Sequence, residues 1–385
     1  MICSKPSFLC IVCIIILLFG LWPFNFHSEN QVHWLQNQDG IEFHKQRILK
    51  SYNRGIAYST KQVDTPQSSG YSPVTIEINL EPKKEPPNGL GYILSFYDDM
   101  PQEPLIIAQW LSHLVIRSRV NETDKRNKYR EIGVRDALQQ NRKTLITVAS
   151  GEETTDIFVN GKLAQAFSRT SFISLSNIKG QLVIGNSSIG ADPWIGNLYG
   201  LSIYDRLLST EQIRQNYKNW NKPGNSKPEL QNHPFIMYTF KKQNDSHILN
   251  LVDDNNHLVI PSTFTPLERK LLVPFWDDFK LSRGLVSDVI INVFGFIPFG
   301  FVMAIYLIKQ KHLHRGLVYM VTILSGACLS LIIEITQIYL PTRHSSSLDL
   351  VCNTVGAILG IVVLIVGTHF FAEKKYMQAQ QVSRE

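Results

Sequence analysis

The chain has 385 residues, 44% of them hydrophobic, and a net charge of +6. Most of that positive charge sits in short segments beside apolar runs, so it reads as membrane-topology charge and gives no reason to invoke nucleic acid. All five cysteines (Cys3, Cys10, Cys13, Cys328, Cys352) lie in or beside apolar runs, which excludes a disulfide framework or a cysteine metal site in the polar middle.

The first apolar run covers about 7–24 and follows Lys5. After Leu21 the sequence reads Trp-Pro-Phe-Asn-Phe, without a small-x-small cleavage site, so the run is expected to stay as a first membrane helix after a short cytoplasmic segment, 1–6. Three more runs, 285–308, 316–340 and 348–371, are each long enough to span a hydrocarbon core of about 30 Å. The segment Lys309 to Arg315 between the second and third runs is short and basic, and the tail 372–385 carries Lys374, Lys375 and Arg384. The positive-inside rule puts both in the cytoplasm. Four spans then place both termini in the cytoplasm of a cell (plasma or inner) membrane and 25–284 outside it.

From Tyr71 onward the middle region alternates in short stretches: 74–80, 92–97, 105–110, 114–119, 144–149, 156–159, 181–185 and 196–204. Period-two patterning broken by turn residues predicts strands of a β-sandwich or jelly roll. Asn160-Gly161 is the strongest hairpin turn, because both residues tolerate positive φ. Ser209 and Gln212 form a capping box that opens a helix running to about Trp220. The fold class is therefore mixed, an all-β jelly-roll sandwich (25–222) plus an α-helical transmembrane bundle (285–371 with the first run). The segment 223–284 reads as a linker with two additional short strands, at 235–240 and 257–261. Sequence leaves open whether these extend the sandwich or stand apart.

Six polar residues interrupt the apolar runs at one end only. Asp288 and Asn292 share a face of the second run, Glu334 and Gln337 a face of the third, and Asp349 and Asn353 a face of the fourth. Alternating chain direction gathers them in the outer half of the bilayer, with Arg343 in the adjoining loop as the expected cation. Glu334 is notable because the helix dipole disfavours a carboxylate near a C-terminus. Gly356 and Gly360 predict close helix packing. Gly295, Pro298 and Gly300 predict a packed or kinked stretch of the second run.

Two resemblances follow from these motifs. Ile157-Phe-Val-Asn-Gly-Lys162 and the stretch Trp194 to Ser209 resemble the laminin-G, concanavalin-like jelly roll over about 60–222. That fold hosts carbohydrate binders, protein binders and glycosidases. Glycosidases of the fold draw attention to Glu77, Asn79 and Glu81, which period two puts on one face, yet the central residue is an amide. A solvated strand face is the expectation here. Asp98, Asp99 and Asp124 are candidate Ca²⁺ ligands without regular ligand spacing, and polar turns are the expectation for them. No other metal or cofactor is implied.

Trp22-Pro-Phe-Asn-Phe26, Asn292 to Gly300, Ile333 to Gln337, Arg343 to Asp349 and Asn353 to Gly360 resemble the VanZ-like family, with the sandwich inserted after the first span. The family is bacterial and is associated with reduced sensitivity to lipoglycopeptide antibiotics. The resemblance implies an envelope role and carries the polar pattern over at Asn292, Glu334, Gln337, Arg343, Asp349 and Asn353. The leading expectation is a non-enzymatic envelope protein, whose partners are the lipid bilayer and a glycan or an envelope protein. Its bundle would recognise a lipid head group. One alternative is a membrane enzyme or transport factor acting on a lipid-linked precursor, with Glu334 as acid or base. Another is a purely structural anchor.

Overall fold

A computed structural model describes residues 5–382, apart from 45, 49–50, 64, 66–71, 87–88, 101, 121–128, 169–170, 223–232, 242–245, 275–282, 311–312, 341–342 and 344. The chain divides into two compact units. One comprises Met1–Phe26 with Arg269–Glu385, and the other His27–Glu268.

The chain opens with helix α1 (Pro6–Gly20), and His27–Glu268 then builds a sandwich. Its strands in chain order are β1 (Val32–Trp34), β2 (Ile41–Phe43), β3 (Gln46–Ile48), β4 (Ser51–Asn53), β5 (Ala57–Ser59), β6 (Val74–Pro82), β7 (Gly91–Tyr97), β8 (Leu105–Trp110) and β9 (His113–Arg119). There follow β10 (Tyr129–Val134), β11 (Thr144–Ser150), β12 (Thr154–Val159), β13 (Lys162–Ser168), β14 (Gln181–Ile184) and β15 (Gly196–Tyr204). After helix α2 (Thr210–Trp220) come β16 (Ile236–Thr239), β17 (His247–Ile248) and β18 (Leu258–Val259).

One sheet runs β1-β2-β15-β6-β11-β12-β13 with β16 also on β15, and the other runs β10-β9-β8-β7-β14-β5-β18-β17. All ladders named in them are antiparallel. The late strands β16, β17 and β18 therefore extend the sandwich and do not stand apart. Alternate residues of facing strands fill the layer between the sheets: Ile76, Ile78 and Leu80 from β6, Leu94 and Phe96 from β7, and Ile146 and Val148 from β11. Asn160 and Gly161 take φ of 52° and 72°, the turn geometry expected between β12 and β13.

Helix α2 begins as its sequence predicts. The Gln212 amide donates to Ser209 Oγ and the Ser209 amide to Gln212 Oε1, a reciprocal capping box. Its apolar side closes over the outer face of the first sheet, where Leu145, Ala149, Phe158, Tyr204, Ile213, Trp220 and Met237 form a second core. A Cβ on Gly200 would overlap the Trp220 ring, so glycine lets the indole approach β15 this closely.

The helical unit holds α1, α3 (Arg283–Ile308), α4 (Arg315–Gln337) and α5 (Ser347–Val382). Among the described residues, three helices are long and apolar enough to cross a membrane, over Leu285–Ile308, Arg315–Gln337 and Ser347–Glu373. They match the second to fourth predicted runs, and α5 continues past its span as one helix. The first run differs. It forms 15 helical residues, about 22 Å at 1.5 Å per residue, and the helix gives way to a turn at Leu21–Pro23. It still belongs to the helical core, because Val12 and Ile16 pack with Phe296, Phe299, Val302, Ile333 and Ala357.

Glycines account for the closeness of α3 and α5. A Cβ on Gly356 would meet the Val293 carbonyl, one on Gly360 the Ile297 carbonyl, and one on Gly300 the Ala357 carbonyl. The expectation for Gly295 is corrected. A Cβ there would touch nothing within 4 Å, because residue 295 sits on the open side of α3. Pro298 lies within α3, exposed, and the helix runs on through it.

Candidate functional sites

In the helical unit the six polar residues and Arg343 fall at one end, and most are engaged with each other or with helix termini. Glu334 is 1% exposed. Its carboxylate accepts from the Ser346 amide at 2.7 Å, and the Ser345 hydroxyl donates to it as well. Ser346 immediately precedes α5, so Glu334 satisfies an orphan donor at that helix's N-terminus. This explains a carboxylate at the C-terminal end of α4: the dipole of the neighbouring helix favours the charge that its own disfavours.

Gln337 Nε2 donates to the Gly20 carbonyl at 2.8 Å and Arg343 Nε to the Trp22 carbonyl at 3.1 Å, so both finish the C-terminal end of α1. Asn353 Nδ2 donates to Ser330 Oγ at 2.9 Å and ties α5 to α4. The Asn292 side chain bonds Asp349 and ties α3 to α5. Asp288 is exposed. Arg343 is the cation of this end: its charge acts on both Glu334 and Asp349, although among the described residues no ion pair within 4 Å joins it to Glu334, Asp349 or Asp288, and its Nε donates to the Trp22 carbonyl. Segment 271–273 closes this end of the unit, with Leu272 N donating to Ser345 Oγ and Val273 bridging Ser346.

The sandwich holds a second polar set, and here the expectation of a solvated strand face is corrected. Glu77 and Asn79 do share the outer face of β6, yet that face is closed to solvent. Glu77 is fully buried and Asn79 is 1% exposed. Ser202 Oγ, Tyr204 Oη, Asn216 Nδ2 and Trp220 Nε1 all donate to the Glu77 carboxylate, at 3.1–3.2 Å. Burial pushes its carboxyl above the ordinary glutamate range, and the four donors pull the other way without cancelling that. The glycosidase arrangement is not present, because α2 covers the first of the two glutamates.

Glu81, four residues on, lies beyond the helix. Lys83 Nζ sits 2.6 Å from one oxygen, while Tyr199 Oη and Asn197 Nδ2 donate to the other. Burial raises this carboxyl, but donation from Lys83 and Tyr199 outweighs it and leaves it below the ordinary range. Two of the three candidate Ca²⁺ ligands lie among the described residues. Asp98 forms a bidentate pair with Arg119 at 2.7 and 2.9 Å, Asp99 sits in a turn at φ 62°, and Asp124 lies outside the described residues.

Residues 105–214 match the concanavalin A-like lectin/glucanase superfamily, and 214–368 match the VanZ/LLP1 family. The chain carries a VanZ-like region. The VanZ-like match starts inside α2, so it takes in the closing strands of the sandwich as well as α3, α4 and most of α5. No curated protein matches the sequence. Among solved structures, the chain is similar to a heptameric SAP-like pentraxin from Limulus polyphemus (15% identity, TM-score 0.38, covering 59% of this chain and 97% of that one). A putative carbohydrate binding protein from Bacteroides ovatus also matches (14% identity, TM-score 0.39, covering 60% of this chain and 62% of that one, under two thirds of its length). A third is the Ruminococcus gnavus sialidase CBM40 bound to α2,3-sialyllactose (14% identity, TM-score 0.32, covering 40% and 96%).

Proposed function

We propose that this is a membrane protein of the cell envelope whose β-sandwich binds glycan outside the membrane and whose VanZ-like unit holds it there. The observation that carries the reading is the union, in one chain, of a complete concanavalin-like sandwich with three helices of membrane-spanning length. Loop charge sets the orientation, with 309–315 in the cytoplasm and the sandwich outside. A cysteine introduced at Glu152 is expected to react with an impermeant reagent on intact cells, and one at Gln310 only after permeabilisation. The reverse pattern would overturn the orientation.

The bundle's polar end also supports recognition of a lipid head group. Arg343 is exposed, its Nε held by the Trp22 carbonyl, and Asp288 is exposed in the first turns of α3. Replacing Arg343 with alanine is expected to weaken retention of anionic phospholipid by native mass spectrometry several-fold while the protein still inserts. Equal retention would leave the unit as a structural anchor. The engagement of Glu334 by Ser345 and Ser346 supports a positioning role for it and weighs against general acid–base chemistry at that carboxyl.

A further inference from the structure

Helix α1 is held to α4 at one end. There Gln337 and Arg343 donate to the Gly20 and Trp22 carbonyls, and a Cβ on Gly20 would come within 3.0 Å of Ile333. Farther along, a cavity of about 450 Å³ opens between the two helices. Leu9 and Cys13 of α1 form one wall, Ser325, Cys328 and Leu329 of α4 the other, and Phe299 of α3 the floor. Leu324 and Ile332, on the α4 wall, are each more than half exposed, so the cavity opens sideways as a groove.

The lining is apolar except for Ser325 and two thiols, too few polar partners to order water in a space roughly three times that which holds a benzene ring. Left unfilled, it would forfeit the dispersion contacts of the side chains along it. Because α3 and α4 are of membrane-spanning length, the medium at its open side is hydrocarbon.

A cation stands at the end to which the groove leads. Arg343 is exposed where α1 and α4 are joined, and just past α4 a second exposed guanidinium, Arg269, lies 5.1 Å over the Tyr339 ring. The acids of this end are engaged on the other helices: Glu334 is buried and bonded to Ser346 at the start of α5, and the charge of the exposed Asp288 acts on Asp349 of α5. A phosphate on the α1–α4 side therefore meets guanidinium. The distances agree. Gln337 to Cys328 is about 14 Å along α4, within one half of a hydrocarbon core about 30 Å thick. A tail that starts from a phosphate at Arg343 passes Ile332 and Leu329 and ends near Cys328.

We infer that the α1–α4 groove seats one acyl tail of an anionic phospholipid whose phosphate is held at Arg343. This rests on the head-group reading above. The test places the full chain in phosphatidylcholine nanodiscs with and without phosphatidylglycerol and follows alkylation by N-ethylmaleimide with peptide mass spectrometry. Phosphatidylglycerol is expected to slow alkylation of Cys328 several-fold and to leave Cys10, exposed and outside the lining, unchanged. Ser325→Phe, which puts a ring into the groove, is expected to retain several-fold less phosphatidylglycerol by native mass spectrometry. Equal rates at Cys328 with and without phosphatidylglycerol overturn the tail site, and so does wild-type retention by a folded Ser325→Phe. In both cases loss of the lipid from Arg343→Ala leaves the head-group reading standing. Wild-type retention by Arg343→Ala overturns that reading itself. Should Ser325→Phe fail to insert, the Cys328 rate in the wild type still decides.

Discussion

Glu77→Ala is expected to cost about 3–5 kcal/mol of sandwich stability, because four buried donors lose their acceptor at about 1–3 kcal/mol each before the site relaxes. Ser202, Tyr204, Asn216 and Trp220 would each lose an acceptor in a region from which water is excluded. Two of the four donors belong to α2, so the same change should loosen the helix from the sheet. Denaturant unfolding followed by tryptophan fluorescence measures the loss, and a cost below about 1 kcal/mol would show that the carboxylate does not hold α2. Glu77→Gln keeps the shape and one acceptor and separates packing from charge. Since the folded protein holds this carboxyl above its ordinary value, the stability associated with it is fully present below the unfolded value and is lost as pH rises through the folded one. The stability of wild type relative to Glu77→Gln should therefore decline from acidic to neutral pH. A difference that grows with pH would mean that the site favours the anion.

Elements whose cause is local are legible in the sequence alone. The Asn160-Gly161 turn, the Ser209–Gln212 capping box and the three long spans each depend on residues close in the chain, and each stands where expected. Strands β10 and β13 are not legible in this way, because neither presents a buried apolar face; β13 is an edge strand exposed along nearly its whole length. The correction at Glu77 has a different origin. Period two tells which residues share a face but not what later covers it, and the cover arrives 139 and 143 residues further on, from Asn216 and Trp220. Glu334 shows the same limit over a shorter distance. Its dipole conflict within α4 is a local property, but the resolution by the start of α5 requires the two helices to be placed side by side. Charge matches Arg343 to the acids, and its charge does act on Glu334 and Asp349, but the Trp22 carbonyl just past α1, which takes its Nε, is not legible from charge.

The glycine seam between α3 and α5 gives the second large expected effect. Val293 and Ile297 present their carbonyls where Gly356 and Gly360 have no side chain, and Ala357 presents its own to Gly300. In lipid no hydrophobic drive between helices compensates a lost fit, so association depends on this close approach. Gly360→Leu is expected to force the backbones apart at the Ile297 carbonyl and the Phe301 amide, at a cost of about 3 kcal/mol or more. Thermal unfolding of the detergent-solubilised protein should show an early loss of the helical unit, with faster proteolysis there. Two controls make the test specific to the seam. Gly295 on α3 and Gly367 on α5 have nothing within 4 Å of an added Cβ, so Gly295→Leu and Gly367→Leu should stay close to wild type. If leucine at 367 disturbs the unit as much as leucine at 360, the loss comes from helix composition in general, and α3 and α5 are not locked through their glycines.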